Sequence, residues 1–132
     1  MPTWTRHPHL YFNTAQIPGI RAKTKHPRFK DDWQKLLAKA EEDLKAPPIK
    51  TEDKERRLEY AAARAARCAF VGLIGGDRRF TDHALACVAA LMKEPDWTLY
   101  KPGNWDARFG QLTAHFAAHI GFAYDLLAPK MT

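Results

Sequence analysis

The run "LEYAAARAARCAFVGLIGG" at residues 58–76 limits the fold more than any other part of the chain. Alanine is the strongest helix former, and this stretch holds almost nothing that favours a strand or a turn until Gly75 and Gly76. Leu58, Ala62, Ala65, Ala69 and Leu73 recur on one face, with Ala61, Ala66 and Phe70 beside them. Such small side chains let helix axes approach closely, so the spacing predicts a helix buried between others. Thr51 is the expected N-cap, Glu52, Asp53 and Glu55 suit the positive end, and Arg56, Arg57, Arg64 and Arg67 mark the wetter side. From its cap to the glycines the helix would be about 35 Å long.

A central helix needs neighbours, and the flanking sequence supplies them. Phe29, Trp33, Leu36, Leu37, Ala40 and Leu44 predict a helix from Pro27 or Arg28 to Leu44, stopped by "APPIK". Phe80, Ala84, Leu85, Val88, Leu91 and Met92 predict another from Arg78 or Thr81 to Lys93. After the loop "EPDWTLYKPGNW", the residues Phe109, Leu112, Phe116, Ile120, Ala123 and Leu127 predict a last helix over about 106–128. Valine occurs twice and isoleucine five times, too few for a sheet. Residues 1–27 carry Pro2, Pro8, Pro18 and Pro27 and read as an extended arm, with a short helix where Asn13 or Thr14 caps and Gln16 answers. The expectation is one all-α domain over 1–132: an arm at 1–27, then about four main helices over 28–128 arranged as antiparallel helical hairpins.

Several function classes are restricted by composition. The chain has no serine, which removes serine-nucleophile hydrolysis. Cys68 and Cys87 lack zinc-site spacing and read as small core residues, a disulfide between neighbouring helices being the alternative. The formal charge of +6 is carried mainly by residues 1–50, and "RAKTKHPRFK" offers a basic face to anions. No nucleic-acid motif or stacking surface accompanies it, so nucleic acid is not the expected partner. No stretch has the length and apolarity of a membrane span, and "MPTWTRHPHL" lacks the apolar core of a secretory signal, which leaves the compartment open.

Three pieces of the chain resemble one family. "HPHLYFNTAQIPGIRAKTKHPRFKDDWQKLLAKAEEDL" resembles the opening of the heparinase II/III-like and alginate-lyase group of polysaccharide lyases, in which a His-Pro-x-Leu-x-Phe element precedes a short helix and a Trp-bearing helix. "FVGLIGGDRRFTDHALACVAALM" is similar to that family's Gly-Asp-x-x-Phe/Tyr turn between helices, and "FAYDLLAPKMT" to its Ala-Tyr-Asp-x-Leu helix end. The resemblance implies a partial (α/α) toroid and a periplasmic or secreted setting. It also implies β-elimination on uronic-acid polysaccharides, in which an Asn, His or Arg neutralises the carboxylate while Tyr or His groups move protons. In the family those groups lie beyond the matched region. The resemblance therefore implies a fragment or short relative of a longer enzyme, with no catalytic residue of its own and no cofactor.

Candidate substrate-binding residues cluster late in the chain. Asn104, Trp105 and Arg108 in "KPGNWDAR" combine amide, aromatic and guanidinium groups suited to sugar, with Trp97 and Tyr100 adding aromatic area; the alternative is a helix-entry staple and cap. Arg108, Gln111, His115 and His119 form a polar stripe that would face a sugar cleft in a toroid and solvent in a plain bundle. His115 and His119 have the spacing of a metal-binding pair but no glutamate between them and no signalled third ligand, so no metal is expected there. Tyr124 and Asp125 read as a buried hydroxyl with a hydrogen-bonded partner. The partners expected are an acidic polysaccharide or oligosaccharide, a second copy of the chain, or a downstream domain. The rival function is a non-catalytic helical interaction or oligomerisation module.

Overall fold

The computed structural model describes residues 6–95, 97 and 107–131. Five helices pack as a bundle: α1 (Ile17–Lys23), α2 (Pro27–Leu44), α3 (Arg57–Gly75), α4 (Arg78–Lys93) and α5 (Ala107–Leu127). Among the described residues there is no strand, and no helix is long and apolar enough to cross a membrane.

Helix α3 is the axis of the bundle, and the other four helices contact it. Its alanines at 61, 62, 65, 66 and 69 are buried with Cys68 and Val71, meeting Phe80, Ala84, Cys87, Val88 and Leu91 of α4 and Phe116, Ala123, Leu126 and Leu127 of α5. The large partners fill what the alanines leave empty, each buried Phe or Leu contributing about 1.5–3 kcal/mol. Both cysteines are free and buried, so they pack as core residues.

The α3–α4 turn follows local chemistry. Gly76 ends α3 with φ of 73°, a left-handed conformation that favours glycine, and returns its N–H to Gly72 O at 2.9 Å. Asp77 then caps α4 by accepting the Arg79 N–H at 3.0 Å. The turn folds α4 so closely onto α3 that a Cβ at position 72 would clash with Thr81 Oγ1 and lie 2.9 Å from Thr81 N. From the arm, Arg21 donates to Ile74 O at 3.0 Å and Leu73 O at 2.9 Å, satisfying carbonyls at the end of α3.

Helix starts differ from expectation in one place. Thr51 does not begin an α-helix; Thr51–Arg56 form a tight 3-10 segment that leads into α3 at Arg57. Upstream, α2 starts at Pro27 as the pattern predicts, with the His26 ring accepting the Arg28 N–H at 3.1 Å. At the short helix the Gln16 side chain accepts the Asn13 N–H at 2.9 Å. Some faces also differ. Phe29 and Met92, read as core, are exposed near the start of α2 and the end of α4. Arg64, read as wet, is only 6 % exposed.

Candidate functional site

The buried arginine leads to a polar cleft of about 500 Å3 where the C-terminal end of α2, the 3-10 segment, α3 and α5 meet. Asp43, in the last turns of α2, is 6 % exposed. Arg67 grips it with a fork, Nε on Oδ2 and Nη2 on Oδ1 at 3.2 Å. One turn earlier, Arg64 places Nε 3.7 Å from Asp43 Oδ1 and donates Nη1 to Pro48 O at 2.8 Å and Pro47 O at 3.3 Å. The proline pair that stops α2 thus also supplies acceptors for a guanidinium inside the bundle. Asp53 adds a carboxylate 4.0 Å from Arg64 Nη2.

A second charged group lies further along α3. Glu59 accepts Arg56 Nε at 2.9 Å and Nη2 at 3.1 Å, and its Oε1 is 3.3 Å from His115 Nδ1. Burial opposes its ionisation, but the hydrogen bonds and charge of Arg56, with His115 assisting, hold its pKa below the ordinary value. His119 lines the cleft from α5, and burial pushes its pKa down, with the neighbouring His115 acting in the same direction. Burial thus favours its neutral form, which can accept or donate, while Glu59 opposes the shift. Tyr60 also lines the cleft, one face of its ring under Arg56 Cζ at 4.7 Å. Lys39, Glu42 and Lys50 complete the rim.

Of the residues expected to bind substrate, His119 enters the cleft and His115 joins its edge through Glu59. Asn104, Trp105 and the side chain of Arg108 lie outside the described residues, as does Tyr100. Trp97 packs against the bundle, its indole N–H on Leu91 O at 2.8 Å and its ring 5.4 Å from that of Phe116. Glu59 reaches His115, but Glu59, His115 and His119 do not form a trio whose ligand atoms all lie within 4.8 Å of one another. Sequence reasoning missed Asp43, Glu59, Tyr60 and Arg64. The available signal was the pair of arginines set into an alanine-lined helix, where a buried guanidinium requires a carboxylate from another element. The thiols add no chemistry, because burial raises Cys68 to about 12 and Cys87 to about 11.

A separate polar cluster ties the arm to the end of α5. Asp125, 2 % exposed, accepts the His9 N–H on Oδ1 at 3.1 Å and on Oδ2 at 3.0 Å, the Leu10 N–H at 3.0 Å and the His7 ring at 2.7 Å. Burial opposes its ionisation, but His7 and the backbone donors hold its pKa below the ordinary value. Tyr124 is 52 % exposed, which corrects the expectation of a buried hydroxyl: the α5 residues that are buried at this level are Ala123, Asp125, Leu126 and Leu127. Its ring meets the edge of His7 at 5.6 Å. The segments "HPHL" and "AYDLL" are therefore joined directly.

The cleft sets ammonium and guanidinium donors beside carboxylate acceptors and an imidazole. No protein-family model, no curated protein and no solved structure matches the chain.

Proposed function

We propose that this chain is the N-terminal helical, toroid-forming portion of a polysaccharide lyase-like protein acting on uronic-acid polysaccharide by β-elimination, and that alone it binds acidic saccharide without completing the reaction. The observation that carries this reading is the cleft in which Lys39, Lys50, Arg64 and Arg67 stand among Glu42, Asp53, Glu59 and His119. A uronate sugar presents hydroxyls that donate to carboxylates and a carboxylate that accepts from cations, so a lining of mixed sign suits it better than a uniformly basic one. Tyr60 offers the aromatic surface on which sugar rings rest.

The test is calorimetric titration with short mannuronate or heparin-derived oligosaccharides. Binding should weaken about tenfold, ~1.4 kcal/mol, in His119→Ala and in the Lys39→Ala, Lys50→Ala pair. No unsaturated uronate product should form. Unchanged affinity in both variants, or binding of every polyanion that vanishes at modest salt, would remove the reading.

The rival reading, a helical interaction module that self-associates, is favoured by one observation. Ile20, Phe29, Trp33, Leu36 and Phe70 line an apolar groove of about 340 Å3 between α1 and α2. Sedimentation that depends on protein concentration, and becomes monomeric in Phe29→Lys, would support it.

A further inference from the structure

We infer that His7, His9 and Asp125 form a binding site for one zinc-class divalent ion, clamping the N-terminal arm to the end of α5. Among the described residues this is the one group of three coordinating side chains whose ligand atoms all lie within 4.8 Å of one another. The two imidazoles lie near one another, ring centroids 4.6 Å apart, with both Nδ1 atoms near the same oxygen: His7 Nδ1 is 2.7 Å and His9 Nδ1 3.5 Å from Asp125 Oδ1. Two donors on a tetrahedral zinc, each 2.0–2.2 Å from the metal, are about 3.3 Å apart. The His9 arm already has that span, and the His7 arm must open by roughly half an ångström to reach it.

The supporting shell is in place. The Leu10 N–H and one contact of the His9 N–H occupy Asp125 Oδ2, which fixes the carboxylate plane and leaves Oδ1 as the coordinating oxygen. Coordination through both Nδ1 atoms leaves each imidazole with its single hydrogen on Nε2: the hydrogen shared between His7 Nδ1 and the carboxylate moves to His7 Nε2, and any second ring proton is released to water. Two imidazoles and a carboxylate select zinc, cobalt or nickel over calcium and magnesium, which prefer oxygen cages. Both histidines are partly exposed, so water can complete the coordination. The bridged residues are 118 positions apart in the chain, and fixing so long a loop is where a clip stabilises most.

Chelator-stripped full-length chain should be titrated with zinc by calorimetry and with cobalt by visible absorption. One equivalent should bind, with tetrahedral cobalt bands and a raised Tm. His9→Ala, which keeps its backbone N–H on Asp125, and His7→Gln should each lower affinity at least tenfold, whereas the His115→Ala, His119→Ala double variant should bind as wild type. Absence of stoichiometric binding, binding that survives both His7→Gln and His9→Ala, or binding lost with His115 and His119 would each overturn the site.

Discussion

Asp43 and Asp125 are both buried carboxylates near the C-terminal ends of long helices, where the helix dipole is negative and opposes them. They are compensated in different ways. Asp43 faces two guanidinium groups from α3, whereas Asp125 faces backbone N–H groups and imidazoles from the arm. The cleft is thus a charge-compensated junction inside the bundle, and the arm contact is a hydrogen-bonded closure at its surface. The difference teaches that removal of either carboxylate damages the molecule by a separate route: one strands a buried charge, the other frees a segment that water can satisfy.

Asp43→Ala is expected to have the largest effect, about 3–5 kcal/mol in urea denaturation, because Arg64 would keep a buried charge facing no carboxylate at its Nε. Asp125→Ala should cost roughly 2 kcal/mol, with helix content retained and tryptic cleavage within the arm accelerated. Equal losses with no change in arm cleavage would dissolve the contrast between the two. Arg67→Lys preserves charge but loses the fork and should cost about 1–2 kcal/mol. His7→Gln, which leaves the backbone donors on Asp125 intact, should cost about 0.5–1.5 kcal/mol in metal-free protein.

The smallest effect concerns acid. His119 faces Glu59, His115 and Arg67 and has a folded pKa below its ordinary 6.5. The unfolded chain therefore takes up the proton first, so the stability this group contributes is complete above about pH 6.5 and declines as pH falls below it. Glu59 acts in the same direction lower down: its folded pKa lies below 4.5, and its contribution is lost as pH falls through that folded value. Denaturation midpoints should fall from pH 7 to pH 5, and His119→Gln should flatten that interval. An unchanged slope would show that His119 does not sense the cleft.

The features legible in the sequence were those set by neighbours along the chain. The alanine face of α3, the Gly76 stop and the Pro27 start each depend on a few adjacent residues, and all hold. The cleft was legible only in part. His119, which lines the cleft, was singled out because it continues a helical stripe, but the role of Arg64 depends on Asp43, which reaches it only when α2 lies against α3. The arm contact was less accessible still, since His7 and Asp125 are 118 residues apart and nothing local distinguishes a held histidine from a free one. Thr51 misled because a good cap residue says nothing of whether the following turn is α or 3-10. Tyr124 misled because leucines adjacent in sequence lie on another face of the helix.

Asp125 is held largely through main-chain groups, which sets how the arm tolerates substitution. Leu10 contributes its amide while its side chain stands exposed, so nearly any amino acid at that position would keep the clasp. Proline alone lacks the hydrogen that is needed. The fastening is encoded chiefly by one aspartate and the path of a backbone, and it could persist through wide drift in the residues around it.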